Sequence, residues 1–451
     1  MPQRGKVRAC VIIHGPVLQS PMTERRPDSG PVCATAETPR GAWGLLASLT
    51  ALNVLAFVDR QLIVTLAPLL MEDLGLTRAE VGLLVGASFI VVFAGLNLVL
   101  GAAADRFSRP RLIAAGLAVW SVATSLTGAA RGFAHLATMR VFVGVGEATL
   151  TPAGLSMLGD RFPAHRLGLA SSIFYTGIPL GFAASFLLAG WIGPWLGWRA
   201  CFVVLGVLGL VAVGAVALMK DPGRRGVAAA PPRVTIAQQA RALGQAVAAR
   251  PAIALVSLAG ALLGFMGSAS QHTITWLVQE RGFEYSRAAY LSAGMVAVGG
   301  LLGNVVAGAL TDWGRRRHPA GRLVGLAILA TAATPVGVAF YLLPTASPLF
   351  LGAWFVAQGW VLGWFGPVFA ALDELAPPGQ RATVLGFGLL VTNLLGVATG
   401  PWVAGLIGDR VSLTAGLLTG LAVGASATVP LLLAAVLQRR PEPPGRSRAG
   451  V

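Results

Sequence analysis

The stretch that decides the fold is Gly101–Arg111, GAAADRFSRPR, together with its echo at Gly308–His318, GALTDWGRRRH. In each, a glycine leads, an aspartate follows four residues on, and arginines close the run. The two aspartates, Asp105 and Asp312, stand 207 residues apart (312 − 105). Self-similarity at a fixed offset signals a duplicated unit. Outward from the two copies the chain is a succession of apolar stretches, twelve in all: 44–70, 79–104, 111–130, 136–160, 166–192, 197–219, 252–279, 286–311, 322–343, 347–374, 382–407 and 412–437. Each approaches the roughly 20 residues that carry a helix across about 30 Å of hydrocarbon. They are rich in Leu, Val, Ala and Gly and lack the period-two alternation of a membrane barrel.

The expected fold class is therefore an all-α polytopic membrane protein, with twelve transmembrane helices arranged as two six-helix pseudo-repeats. The segments divide into a tail at 1–40, a six-helix bundle at 41–219, a linker at 220–250, a second bundle at 251–438 and a tail at 439–451. Both tails are rich in Pro, Arg and polar residues, a composition that does not bury a core. A shorter echo, Gly190-x-x-Gly193 against Gly405-x-x-Gly408, ends the fifth and eleventh stretches. Parallel repeats of this kind place a substrate site at the midplane between the halves.

Composition agrees. Of 451 residues, 55% are hydrophobic and only 12% charged, against about 25% charged in soluble domains. The net charge of +16 belongs to topology. Of 34 Lys and Arg, 26 fall in the tails and in loops on the tails' side, 6 in loops on the other side, and 2 inside helices. Basic residues are retained in the cytoplasm, so both termini are expected there, in a bacterial-type inner membrane. No basic run is interleaved with aromatics, which argues against nucleic acid as a partner. Cys10, Cys33 and Cys201 offer no metal or redox spacing. No HExxH, GxSxG or Walker sequence is present, so neither an enzyme nor an ATP-driven pump is indicated. No cofactor and no metal are expected. The expected partners are a small-molecule substrate, protons and the bilayer, around a monomer.

Four ionisable residues lie well inside the apolar stretches: Asp59 and Arg60 in the first, Arg140 and Glu147 in the fourth. Facing lipid, each would cost roughly 2.5–3.5 kcal/mol, and the four together on the order of 10–14 kcal/mol. They are cheaper turned inward. Arg140 and Glu147 are two helical turns apart and share a face, whereas adjacent Asp59 and Arg60 diverge by about 100°. One arrangement sets Asp59 near Arg140 and leaves Arg60 with Glu147. A structural reading makes the four a cluster that clamps two helices together. The functional reading is proton coupling: burial favours the neutral acid, a neighbouring arginine the ionised one, so a change of hydration can bind and release a proton. Asp59 and Glu147 are the candidate proton sites. Arg60 and Arg140 are the candidate counter-ions or clamps for an acidic group.

Further candidates follow by position. Asp105 at a helix end can pair with Arg109 or cap a neighbouring helix; Gly101, Arg106 and Asp312 complete this loop and its counterpart. His272 beside Gln271 can titrate or bond between helices. Trp364, with Trp354 and Trp360, and Asn393 can line a path for an amphipathic solute.

The G-x-x-x-D-R-x-x-R-x-R pattern of Gly101–Arg111 resembles the signature loop of the major facilitator superfamily. Within that superfamily the chain most resembles the Spinster-like branch. The residues that carry this are N-x-x-x-x-x-D-R (Asn53–Arg60), RVFVGVGEA (Arg140–Ala148), GIPLG (Gly177–Gly181), GWRACF and NLLGVATGP (Asn393–Pro401). The anion:cation symporter branch shares the acid–arginine pair and the Arg-to-Glu stretch and is the second resemblance. The GDRFP turn and GIPLG favour Spinster. The resemblance implies a secondary transporter of a small amphipathic or anionic solute by alternating access. It implies coupling and substrate handling at the matching carboxylates and arginines, and a conformational latch at the loop after the second helix. A non-transporting membrane sensor on the same scaffold is the reading from another class. In the second-half copy, Trp313 and Gly314 displace the Arg that follows the Asp.

Overall fold

In the computed structural model, the described residues are 41–104, 106–223, 236–377 and 380–439. Asp105 and both expected tails, save Arg439, lie outside them. Among the described residues all regular structure is helical, and ten helices are long and apolar enough to cross a membrane. They resolve into twelve spans for two local reasons. Arg109–Thr127 is a 19-residue helix whose two leading arginines and several hydroxyl residues dilute its hydropathy. Gly177–Ala217 continues through a bend at Gly197, where φ is +78°. Only glycine enters that region without strain, so two spans join there with almost no loop.

The twelve are α1 (Ala42–Thr65), α2 (Arg78–Val85, then Ala87–Ala104), α3 (Arg109–Thr127), α4 (Phe133–Glu147, then Leu150–Arg161), α5 (166–196) and α6 (198–217) in the first half. The second half holds α7 (Ala252–Gln279), α8 (Tyr285–Arg317), α9 (Gly321–Leu342), α10 (Leu349–Leu375), α11 (Thr383–Arg410) and α12 (Leu413–Gln438). The segment between halves contains one further helix, Ile236–Ala249. Ala246 anchors it in the second-half core, and Arg250 beyond it donates to the Leu375 carbonyl at 3.1 Å.

One expectation is corrected. The second copy of the duplicated stretch is not a loop: α8 runs unbroken through Asp312 to Arg317. Its three terminal arginines sit where the helix dipole favours cations. The first copy has helix only to Ala104 and resumes at Arg109.

The halves meet along two helix pairs, α2 with α11 and α5 with α8. Close approach depends on missing side chains. A Cβ at Gly82 would stand 2.3 Å from the Pro401 carbonyl oxygen, one at Gly405 2.3 Å from that of Arg78, and one at Gly190 2.9 Å from the Ala289 methyl. These contacts lie on the face opposite the start of α1 and the end of α12, hereafter the far face. The second-half member of each pair carries a π-helical turn where the inter-half contact fades, Met295–Gly300 in α8 and Thr392–Val397 in α11.

Candidate functional site

The four intramembrane charges converge inside the first half. Asp59, Arg140 and Glu147 are 2%, 3% and 1% exposed. Arg60 donates from Nε to Glu147 Oε2 at 2.5 Å. The pair straddles a boundary, because the Arg60 side chain keeps 19% of its surface and that of Glu147 none. The other carboxylate oxygen, Glu147 Oε1, is buried with no hydrogen-bond partner. Phe93, Phe57 and Phe89 surround the guanidinium, with ring centroids 4.2, 4.7 and 4.8 Å from its carbon. Arg60 is thus a cation held between an anion and three aromatic faces, with one side open.

Asp59 differs from the expected arrangement. Its Oδ2 accepts from the Thr124 hydroxyl of α3, and it forms no ion pair with Arg140, whose charge acts on it at longer range. Arg140 instead donates to the Leu84 carbonyl at 3.4 Å and lies 4.8 Å from the Phe89 ring centroid. The reason is positional. Asp59 faces α3, where a hydroxyl sits at bonding distance, while Arg140 faces the end of the first α2 segment, where the break at Gly86 leaves carbonyls free.

The motifs around the charges are packing devices. Gly177 and Gly181 of α5 seat on α1, where added Cβ atoms would stand 2.7 Å from Asn53 Nδ2 and 2.5 Å from Phe57 Cβ. Asn53 itself donates to the Phe174 carbonyl at 2.8 Å. Gly146 of α4 would meet the Gly116 carbonyl oxygen of α3 at 2.5 Å. Gly146 beside Glu147 therefore lets α3 and α4 close over that carboxylate, which is how Glu147 stays dry.

At the terminal face, Arg109 is fully buried. It donates to Asp160 of α4 and, at 2.5 Å, to Asp221 beyond α6, as well as to Ser156 and the Gly223 carbonyl. Arg322 repeats the device in the second half, bonding Asp312 at 2.6 Å and Glu374 at 3.1 Å. Arg109 to Arg322 is 213 residues and Asp160 to Glu374 is 214, six and seven more than the 207 of the duplicated stretch. Arg106 is exposed. Burial opposes the Asp221 charge, but the Arg109 hydrogen bonds outweigh it and hold that carboxyl below its ordinary range.

The remaining candidates lie in the second half. His272 is buried, with Nε2 2.8 Å from the Pro401 carbonyl oxygen, tying α7 to α11. Trp364 is 5% exposed and belongs to the core, which places it in packing rather than on an open wall. Gln271 and Asn393 are half-buried. A small cavity lined by Met266, Ser270, Tyr341, Trp360 and Leu421 lies within this half and touches none of the charged group. Among the described residues no cluster of metal-ligating side chains occurs.

Two pseudo-repeated bundles, closed on one face and carrying buried charges in one half, define a membrane carrier. The chain belongs to the Major Facilitator Superfamily, whose profile matches residues 49–395; it is a secondary transporter. It is 28% identical to an MFS-type efflux pump of Mycolicibacterium smegmatis over 83% of this chain and 86% of that one. It is 25% identical to protein spinster of Drosophila melanogaster over 82% of this chain, spanning 63% of that longer protein. Its fold is similar to the crystal structure of a bacterial homologue of the human lysosomal transporter Spinster in an inward-facing, unoccupied conformation. The TM-score is 0.74 at 23% identity, covering 88% of this chain and 96% of that one.

Proposed function

We propose that the protein couples protons to the movement of an amphipathic or anionic solute, and that Arg60 is the switch between the two. The observation that carries this is the Arg60–Glu147 pair, one partner dry and the other partly wet. While Glu147 is ionised it holds the guanidinium. Once a proton binds the carboxylate, the pair is broken and Arg60 is free to hold an acidic head group, with Phe57, Phe89 and Phe93 beside it for apolar surface. Proton binding and anion binding then favour one another, and linkage makes that reciprocal. Asp59, bonded to Thr124, is a second proton site whose charge acts on the same cluster. Arg140 stays buried and balances the two acids.

With the far face closed and the termini on the cytoplasmic side of an inner membrane, this is an inward-facing state. Closure of the terminal face and opening of the far face would present the same cluster to the other side. The test is a pH-jump uptake screen in proteoliposomes with lysophospholipids and organic anions, comparing the native chain with Asp59→Asn and Glu147→Gln. Proton-dependent flux should be lost in both variants. Flux unchanged in both would remove these residues from the mechanism.

A further inference from the structure

The start of α2 has four backbone N–H groups without helical partners, as every α-helix does. Here all four are satisfied, and they divide by half of the molecule. Thr77 and Glu80 form a capping box: the Thr77 N–H donates to Glu80 Oε2 at 2.8 Å and the Glu80 N–H to Thr77 Oγ1 at 3.1 Å. The remaining two belong to the opposite half, because Arg78 N–H and Ala79 N–H donate to the two carboxylate oxygens of Asp409 in α11, at 3.0 and 2.9 Å. The exchange is mutual. The Arg78 guanidinium donates at 2.5 Å to the Gly408 carbonyl, one of the carbonyls left free at the end of α11. The same side chain reaches Gln279 of α7 at 3.1 Å.

Each charge stands at the wrong end of its own helix. An aspartate in a last turn and an arginine in a first turn oppose their helix dipoles. Across the gate both are at the right end: an anion on the N-terminus of α2 and a cation on the C-terminus of α11.

We propose that this reciprocal cross-cap, centred on Asp409 and Arg78, is the detachable latch of the far-face gate and sets the resting balance between the closed and open states. When α2 and α11 part, each helix keeps a residue that opposes its own dipole and loses the complementary charge supplied by the opposite half, while Glu80 and Arg410 stay with their own helices. The capping box stays behind and keeps α2 wound, so opening releases the latch without unravelling the helix.

The experiment is pulsed electron–electron distance measurement on purified full chain in nanodiscs, with Cys10, Cys33 and Cys201 replaced by serine. Spin labels go at Arg131→Cys and Ala346→Cys, which are exposed far-face positions in opposite halves. Asp409→Asn should raise the ratio of long to short distances roughly tenfold, because it removes the anion from the α2 N-terminus and weakens the two charge-assisted hydrogen bonds that anion accepts. Asp409→Glu should stay close to the native distribution. Arg78→Gln, which leaves the carboxylate caps in place, should raise the ratio about threefold and decides the matter alone if the asparagine variant does not fold. The exchanged pair Arg78→Asp with Asp409→Arg should favour the open state, because in the closed state each charge then faces the partner helix terminus of its own sign. An unchanged distribution in Asp409→Asn and Arg78→Gln overturns the proposal. So does recovery of the closed state in the exchanged pair, which would show a plain ion pair instead.

Discussion

Replacing Glu147 by glutamine keeps the side chain's shape and removes its charge, so the variant isolates what the anion does to Arg60. In the native protein the ionised carboxylate holds Arg60 at 2.5 Å, and an incoming acidic head group has to compete with it. Removing one partner of a fully buried pair costs about 3–5 kcal/mol. Arg60 keeps about a fifth of its side chain accessible, and water screens that part. The coupling should therefore fall in the range of about 1–3 kcal/mol, or roughly 5- to 150-fold in affinity. The sign is fixed by the geometry. Lower pH protonates Glu147 and frees Arg60, so the native chain binds an anionic solute more tightly as pH falls, by at most about tenfold per unit for one proton. In Glu147→Gln, Arg60 is free at every pH, so affinity should be high and independent of pH. Equilibrium binding of a solute identified by the uptake screen, measured across the physiological pH range in both proteins, reads slope and plateau separately. A glutamine variant that keeps the native slope, or a native protein with none, would refute the competition for Arg60.

Arg109→Ala leaves Asp160 and Asp221 without their shared cation. Those carboxylates are partly exposed, so the loss should be about 1–3 kcal/mol, below the range for fully buried pairs, and visible as a lower midpoint in detergent thermal unfolding. Arg109→Lys should recover little of it, since an ammonium cannot span both acids in a fork. Because Asp221 is held below its ordinary 3.8, its stabilising effect is present above that value and lost as pH falls through the depressed one. Acid titration of unfolding should show that loss in the native chain and not in Asp221→Asn. Gly146→Ala forces a methyl against the Gly116 carbonyl oxygen and Trp120. It should destabilise by about 1–3 kcal/mol and move Glu147, so thermal stability and proton-dependent uptake should fall together, whereas Gly95→Ala, with open space around it, should change neither.

The sequence carried the architecture because hydropathy and charge are local quantities. Segments such as Ala252–Gln279 agree with the apolar stretch to the residue, and the Asp59, Arg60, Arg140, Glu147 group stood out because each is expensive in hydrocarbon. What was not legible is who meets whom. Phe57 lies one turn before Arg60 on α1, but no spacing rule joins Asp59 of α1 to Thr124 of α3 or brings Phe89 and Phe93 of α2 onto Arg60, since those contacts arise from helices that approach through glycines elsewhere. Asp409 was overlooked for the opposite reason. An acid at the end of a span looks like an ordinary surface charge until the helix it caps, 331 residues away, is in place. The helical continuation of α8 through Arg317 was hidden by the arginines themselves, which mark the end of the apolar run but not the end of the helix.

The π-helical turns at Met295–Gly300 and Thr392–Val397 bear on how this chain should be aligned with its relatives. An ordinary α-helix that loses one residue rotates everything beyond the deletion by about 100°, turning its packing face away from its neighbours. A π turn holds one residue more than an α turn and absorbs it locally. Dropping a single residue inside either six-residue window returns the segment to α geometry while both flanks keep their faces. A one-residue gap there is a change of winding, compatible with an intact α2–α11 or α5–α8 seam. The same gap a turn further along would dismantle it.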